Sequence, residues 1–71
     1  MTAKEMFEEL GYIERPETTS LCCVKSYTRR NDMSIIYFDY DKFIDIDVRI
    51  ISVDLIKAIN QQCKELGWLD E

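Results

Sequence analysis

The stretch that decides the fold reads Lys42-Phe43-Ile44-Asp45-Ile46-Asp47-Val48-Arg49-Ile50. From its third residue onward, aliphatic side chains alternate strictly with charged ones. A period of two is the pattern of a β-strand that has one dry face and one wet face. Such a strand needs another layer to cover its dry face, so residues 42–50 predict a sheet that packs against helices.

Helical patterns lie at both ends of the chain. Near the start, Thr2 and Glu5 have the spacing of a capping box, and apolar residues follow at helical spacing. Near the end, Ser52 is a suitable N-cap for a long amphipathic segment. We therefore predict helices over residues 3–10 and 53–66. The apolar face of the second helix is predicted to consist of Val53, Ile56, Ile59, Cys63 and Leu66, widened by Leu55 and Ala58.

Two further segments have the composition of strands. Residues 21–28 and 34–38 are rich in β-branched, aromatic and cysteine side chains. Polar turns over 29–32 and 39–42 separate the three predicted strands, so consecutive strands form an antiparallel meander. The sequence thus predicts one α-β-β-β-α domain over residues 1–71.

Charged side chains occupy one face of the last predicted strand, so only the other face of the sheet needs a cover. The predicted fold is therefore α+β with two layers, in which both helices lie on one face of a three-stranded antiparallel meander.

Two registers are open for the hairpin between the second and third predicted strands. In the first, Asp39 lies opposite Phe43, and in the second, Phe38 does. A slip of one residue exchanges the buried and exposed faces. We prefer the first register, because it buries Ile36 together with Phe38 and leaves the Tyr37 hydroxyl in water.

Composition limits the class of protein. The net charge of −5 and the lack of a basic patch argue against direct binding of nucleic acid, whose affinity comes mostly from phosphate neutralisation. No apolar run approaches the roughly 20 residues of a membrane span, and no signal-peptide pattern is present. Three cysteines without a histidine make neither a disulfide framework nor a zinc site. We expect a cytoplasmic protein that contacts no membrane and holds no cofactor or metal.

Both ends of the chain are also similar to known sequences. Residues 2–12 read Thr-Ala-Lys-Glu-Met-Phe-Glu-Glu-Leu-Gly-Tyr, and residues 55–68 read Leu-Ile-Lys-Ala-Ile-Asn-Gln-Gln-Cys-Lys-Glu-Leu-Gly-Trp. They resemble short, uncharacterised proteins of Gram-positive bacteria and their phages, and the hairpin over residues 36–42 is similar in style. The resemblance implies a phage or prophage origin and a bacterial host cell. It supplies no catalytic residue, and residues 14–33 match nothing in it.

Aspartates are the side chains that suggest catalysis. Asp39, Asp41, Asp45 and Asp47 lie within a span of nine residues, and carboxylates two positions apart on a strand share a face at roughly 6–7 Å. That spacing suits Mg²⁺ or Mn²⁺ and would allow a metal-dependent nuclease. However, a chain without histidine lacks the usual triad, and an exposed strand needs such residues for solubility alone. We therefore expect no enzymatic activity.

A binding surface fits the same region better. Its predicted apolar centre is Ile35, Tyr37 and Phe43, and its predicted acidic border is Asp39, Asp45 and Asp47. Interfaces favour aromatic centres with polar rims. We expect a protein partner with a basic surface, such as a host nucleic-acid-handling or defence protein that the chain inhibits. A structural or regulatory homodimer, joined through the outer sheet face or an edge strand, is the alternative.

Overall fold

A computed structural model of the chain describes residues 1–16 and 23–69. The elements are α1 (Ala3–Glu9), β1 (Ile13–Glu14), β2 (Lys25–Arg29), β3 (Ser34–Phe38), β4 (Ile44–Asp47) and α2 (Val53–Glu65). The strands form one antiparallel sheet in the order β1-β2-β3-β4. The helices cover one face of this sheet, which confirms the predicted α+β class.

The sheet has one strand more than the sequence predicts. Ile13 and Glu14 pair with β2 and form a two-residue strand, which is too short to show a period in the sequence. The predicted first strand corresponds to β2, which begins at Lys25. Its first predicted residues, 21 and 22, lie outside the described part of the chain.

The last strand is shorter than the predicted residues 42–50. Lys42 has a positive φ of 66° and belongs to the turn, so pairing begins only after it. Val48 still packs against the core, but Ile50 is 74% exposed. The dry face of this stretch therefore ends at Val48.

Both helices begin where their caps predict. The Thr2 hydroxyl accepts from the Glu5 amide at 3.2 Å, and the Glu5 carboxylate accepts from the Thr2 amide at 2.9 Å. The Ser52 hydroxyl accepts from the Leu55 amide at 3.0 Å. These bonds satisfy donors that a helix start otherwise leaves without partners. Each helix ends one residue before its predicted last residue.

Three aromatic rings in mutual contact form the centre of the core. Phe7 of α1 lies on Tyr27 of β2 with ring centroids 4.0 Å apart and an interplanar angle of 18°. Phe38 of β3 meets both rings edge-on at 6.3 Å. All three residues are at most 1% exposed. Such ring pairs add about 0.5–1.5 kcal/mol beyond the burial of their area, so they hold α1 on the sheet.

Tyr27 also contacts the second helix. Its hydroxyl donates to Oε1 of Gln62 at 2.5 Å, and both side chains are buried. Burial raises the pKa of the Tyr27 hydroxyl far above its usual range, so it remains a donor. Because Phe7 of α1 and Gln62 of α2 reach the same side chain, both helices lie on one face of the sheet.

The buried face of α2 is rotated from the predicted one. Its buried residues are Leu55, Ala58, Gln62 and Cys63. The prediction for Val53 and Ile56 is wrong, since these residues are 67% and 55% exposed. Hydrophobicity alone does not identify Gln62 as a core residue, because its burial depends on the bond from Tyr27.

The β3–β4 hairpin has the preferred register. The Asp39 amide donates to the Phe43 carbonyl at 2.8 Å, so these two residues lie opposite each other. Ile36 and Phe38 face the core and are fully buried, as predicted. Tyr37 lies on the other face of the sheet.

Replacing Phe7 with Ala should lower the free energy of unfolding by about 3–5 kcal/mol, the usual cost of removing a buried ring. Urea denaturation followed by circular dichroism measures the loss. The matched change Phe43→Ala removes a ring that is 69% exposed and should cost less than about 0.5 kcal/mol. Equal losses in the two variants would contradict this core.

Replacing Tyr27 with Phe should cost about 1–3 kcal/mol, because the buried Gln62 oxygen loses its donor. Adding Gln62→Leu should recover part of that loss, since neither buried polar group then remains.

Above about pH 10 the Tyr27 hydroxyl ionises in the unfolded state, while in the folded state it resists ionisation. The wild type should therefore lose more stability there than Tyr27→Phe. A double-mutant cycle in urea at pH 7 and pH 10.5 measures both effects, and strictly additive losses would count against the bond.

Candidate protein-binding surface

The outer face of the sheet carries four of the residues predicted for binding. Ile35 lies opposite Asp47, and Tyr37 lies opposite Asp45. Paired residues of antiparallel strands share a face, so each apolar side chain has a carboxylate as its neighbour. The two aspartates are exposed, and Ile35 and Tyr37 are half-buried.

The other two predicted residues adjoin this group at the end of the hairpin. Asp39 and Phe43 lie two positions beyond Tyr37 and Asp45, and strand alternation places them on the same face. The Phe43 ring is largely exposed. We name the six residues on this face the hairpin surface: Ile35, Tyr37, Asp39, Phe43, Asp45 and Asp47.

The outer face is closed over β2. Ser26 and Thr28, which lie opposite Tyr37 and Ile35, are 1% and 8% exposed. The Thr28 hydroxyl donates to the Ser34 carbonyl at 3.1 Å. Among β2, β3 and β4, the open part of the outer face is therefore the hairpin surface, while on β1 Ile13, opposite Thr28, is 44% exposed on the same face. Alternation alone did not reveal this, because Ser26 and Thr28 resemble solvent-facing residues in the sequence.

β4 forms an edge of the sheet. Among residues 1–16 and 23–69, no strand pairs with its outer side. Hydrogen-bonded and non-hydrogen-bonded positions alternate along an antiparallel pair of strands. Because the Phe43 carbonyl accepts a hydrogen bond across the hairpin, the backbone groups of Asp45 and Asp47 also form their hydrogen bonds to β3. The backbone N–H and C=O groups of Ile44 and Ile46 therefore point toward the free edge, where they can pair with another chain.

A second exposed surface was not predicted. It consists of Ile50, Ile51, Val53 and Ile56, which are 74%, 49%, 67% and 55% exposed, and we name it the aliphatic segment. For Val53 and Ile56 the sequence signal is that the apolar residues of α2 cover an arc too wide for a single buried face.

Basic side chains of β2 are engaged by carboxylates. Arg29 donates to both carboxylate oxygens of Asp32 at 3.2 and 2.7 Å, and its guanidinium lies 4.9 Å from the centre of the Tyr12 ring. Bonds from Arg29 and Ser34 hold the pKa of the Asp32 carboxyl well below its usual range. Lys25 contacts Glu14 at 2.8 Å. These ion pairs engage the basic side chains of β2, whereas the carboxylates of the hairpin surface have no ion-pair partner within residues 1–16 and 23–69.

Metal ligands are sparse in the described ranges. No group of three or more carboxylate, cysteine or histidine side chains lies close enough together there to hold an ion. Asp45 and Asp47 share a face as the nuclease hypothesis requires, but no third ligand joins them among these residues. Cys23 and Cys63 are buried thiols, and burial raises the pKa of the Cys63 thiol.

No family model, curated protein or solved structure matches the chain. Within the part of the chain that the structure describes, neither helix has the length and apolar character that a membrane crossing requires.

Replacing Asp32 with Asn should reduce stability at pH 7, because Arg29 and Ser34 lose their charged acceptor. A depressed carboxyl pKa stabilises the fold above the unfolded-state value of about 3.9 and loses this effect as the pH falls below it. The difference from wild type should thus be constant from pH 7 to 5 and shrink toward pH 2. Urea denaturation at each pH measures it. The exposed control Asp41→Asn should show little change at any pH, and a constant difference for Asp32→Asn down to pH 2 would contradict this role.

Proposed function

We propose that the chain is a protein-binding module without enzymatic activity, which recognises a basic partner through the hairpin surface. The observation that carries this proposal is the pairing of Ile35 with Asp47 and of Tyr37 with Asp45. It lays apolar side chains beside carboxylates on the open part of the sheet. A desolvated apolar centre with a charged rim is the arrangement that protein interfaces use.

Electrostatics favour a basic partner. The net charge is −5, and the three carboxylates of the hairpin surface outnumber the two exposed cations that flank it along the chain, Lys42 and Arg49. The field over the hairpin surface is therefore negative. Such a field accelerates association with a cationic groove and disfavours acidic partners.

A nucleic-acid-handling protein of a bacterial host is the partner class that fits this pattern. Its phosphate-binding groove offers rows of lysine and arginine, and Asp45 and Asp47 would occupy the positions of phosphates. The resemblance of both chain ends to short phage and prophage proteins also supports an inhibitor of host defence, in the manner of anti-CRISPR or anti-restriction proteins. Such an inhibitor would act in the host cytoplasm.

The double variant Asp45→Lys with Asp47→Lys should lose the partner without unfolding, since both residues are exposed. Wild-type protein immobilised on beads should retain a nucleic-acid-binding protein from a Gram-positive host lysate, identified by mass spectrometry. Added wild-type protein should then compete with DNA or RNA for the purified partner. The variant should retain and compete at least about tenfold less well, the effect of about 1.4 kcal/mol.

The matched control is Glu8→Lys with Glu9→Lys, which changes the net charge equally on the exposed side of α1. Its binding should remain close to wild type, and circular dichroism should show that all three proteins are folded. Equal loss of binding in both variants would show that binding depends on net charge alone. Unchanged binding by the hairpin variant would remove the proposed surface.

A further inference from the structure

We infer that the free edge of β4 takes up one antiparallel strand of the partner, with basic side chains on the outer face and apolar side chains toward the helices. This inference rests on the proposed function and specifies the chain conformation that the hairpin surface recognises. In such strand addition, backbone bonds provide affinity, and alternate side chains provide specificity.

Backbone groups supply the first part of the argument. Ile44 and Ile46 direct their N–H and C=O groups away from β3, as the register requires. A fifth strand would pair with these groups and continue the antiparallel sheet. β1 at the other edge contains only two residues, and short edges pair poorly with added strands.

The outer face selects basic residues. A residue of the added strand opposite Asp45 or Asp47 would share their face, with Cβ atoms about 4.5–5.5 Å apart. Both carboxylates are exposed, and neither has an ion-pair partner within residues 1–16 and 23–69. Lysine or arginine at alternate positions of the partner would meet both of them.

The inner face selects apolar residues. Asp54 and Lys57 of α2 line a cleft together with α1, so this side of α2 faces the first helix. Residues of a helix are about 100° apart around its axis. Going around the helix from Asp54, buried Leu55 comes next and Ile56 follows it. Ile56 therefore lies on the flank of α2 that is remote from α1.

The first turn of α2 is close to the end of β4 along the chain. α2 begins at Val53, six residues after β4 ends at Asp47, so Ile56 in that turn cannot lie far from this strand. Ile56 is 55% exposed there. Inward side chains of a strand added to β4 would reach this flank of α2 and extend the core beneath it. Binding of such a strand would cover Ile56, which accounts for an exposed apolar side chain at this position.

A second copy of the chain is a poorer occupant than a basic strand. If the β4 strands of two copies paired with each other, two antiparallel registers would give the longest overlap. One places Asp45 opposite Asp45 of the second copy, and the other places it opposite Asp47. Like charges directly opposite each other destabilise a strand pair, so the edge favours a partner of opposite charge.

The test uses an octapeptide of alternating lysine and valine in two N-methylated forms. Valine would lie opposite Ile44 and Ile46, so N-methylation of the valines blocks pairing, whereas N-methylation of the lysines leaves the pairing edge intact.

The measurement is amide hydrogen exchange, followed by NMR. With the lysine-methylated peptide at ten times its dissociation constant, the Ile44 and Ile46 amides should exchange about tenfold more slowly. The Asp45 amide, which already bonds to β3, serves as the internal reference.

Two variants test the side-chain selection. Ile56→Lys should weaken binding of the lysine-methylated peptide several-fold, whereas Ile13→Lys, at the opposite edge of the sheet, should not. The variant Asp45→Lys with Asp47→Lys should bind a glutamate–valine peptide of the same design in preference to the lysine–valine peptide. Concentration-dependent slowing of the Ile44 and Ile46 amides without peptide would show self-association and overturn the inference.

The outcomes separate this inference from the proposed function. If reversal of Asp45 and Asp47 abolishes partner binding, but neither peptide nor partner slows the Ile44 and Ile46 amides, the binding surface stands and strand addition is wrong. If both peptides slow these amides equally, contact is electrostatic and strand addition is also wrong. Slowing by the lysine-methylated peptide alone, lost in the charge-reversed variant, supports strand addition whatever the identity of the cellular partner.

Discussion

The structure depends on the buried contacts of one side chain, Tyr27. Its ring stacks on Phe7, and its hydroxyl donates to Gln62, so a single residue of β2 holds both helices on the same face of the sheet. In a chain of 71 residues the core is small, because small domains bury a small fraction of their surface, and Phe38 adds a second link through its contacts with Phe7 and Trp68. These contacts determine which face of every strand is dry.

The dry face in turn determines what the hairpin presents to solvent. Once Ile36 and Phe38 lie beneath the helices, a period of two places the intervening residues on the other face. Ile35 and Tyr37 then meet Asp47 and Asp45 across the β3–β4 pair. The proposed binding surface is thus a consequence of how the core is packed and of the β3–β4 turn, in which Lys42 has a positive φ.

Much of the fold was predictable from periodicity and capping. The alternation in residues 42–50, the capping box at Thr2 and the N-cap at Ser52 predict the strand and both helices to within a few residues. β1 was missed, because two residues have no measurable period. The buried face of α2 was misassigned, because Gln62 owes its burial to a contact with Tyr27 some 35 positions away, which no local pattern encodes.

The candidate site was predictable in part. Sequence alternation identifies the members of the hairpin surface, but two registers were compatible with it, and the closed region over Ser26 depends on tertiary structure. The register is therefore the claim on which the surface depends, and a nuclear Overhauser experiment tests it directly. Residues of a non-hydrogen-bonded antiparallel pair lie with Cα atoms about 4.5 Å apart. The structure predicts a strong contact between the Hα protons of Ile36 and Ile46, whereas a strong contact between those of Ile35 and Ile46 would contradict it.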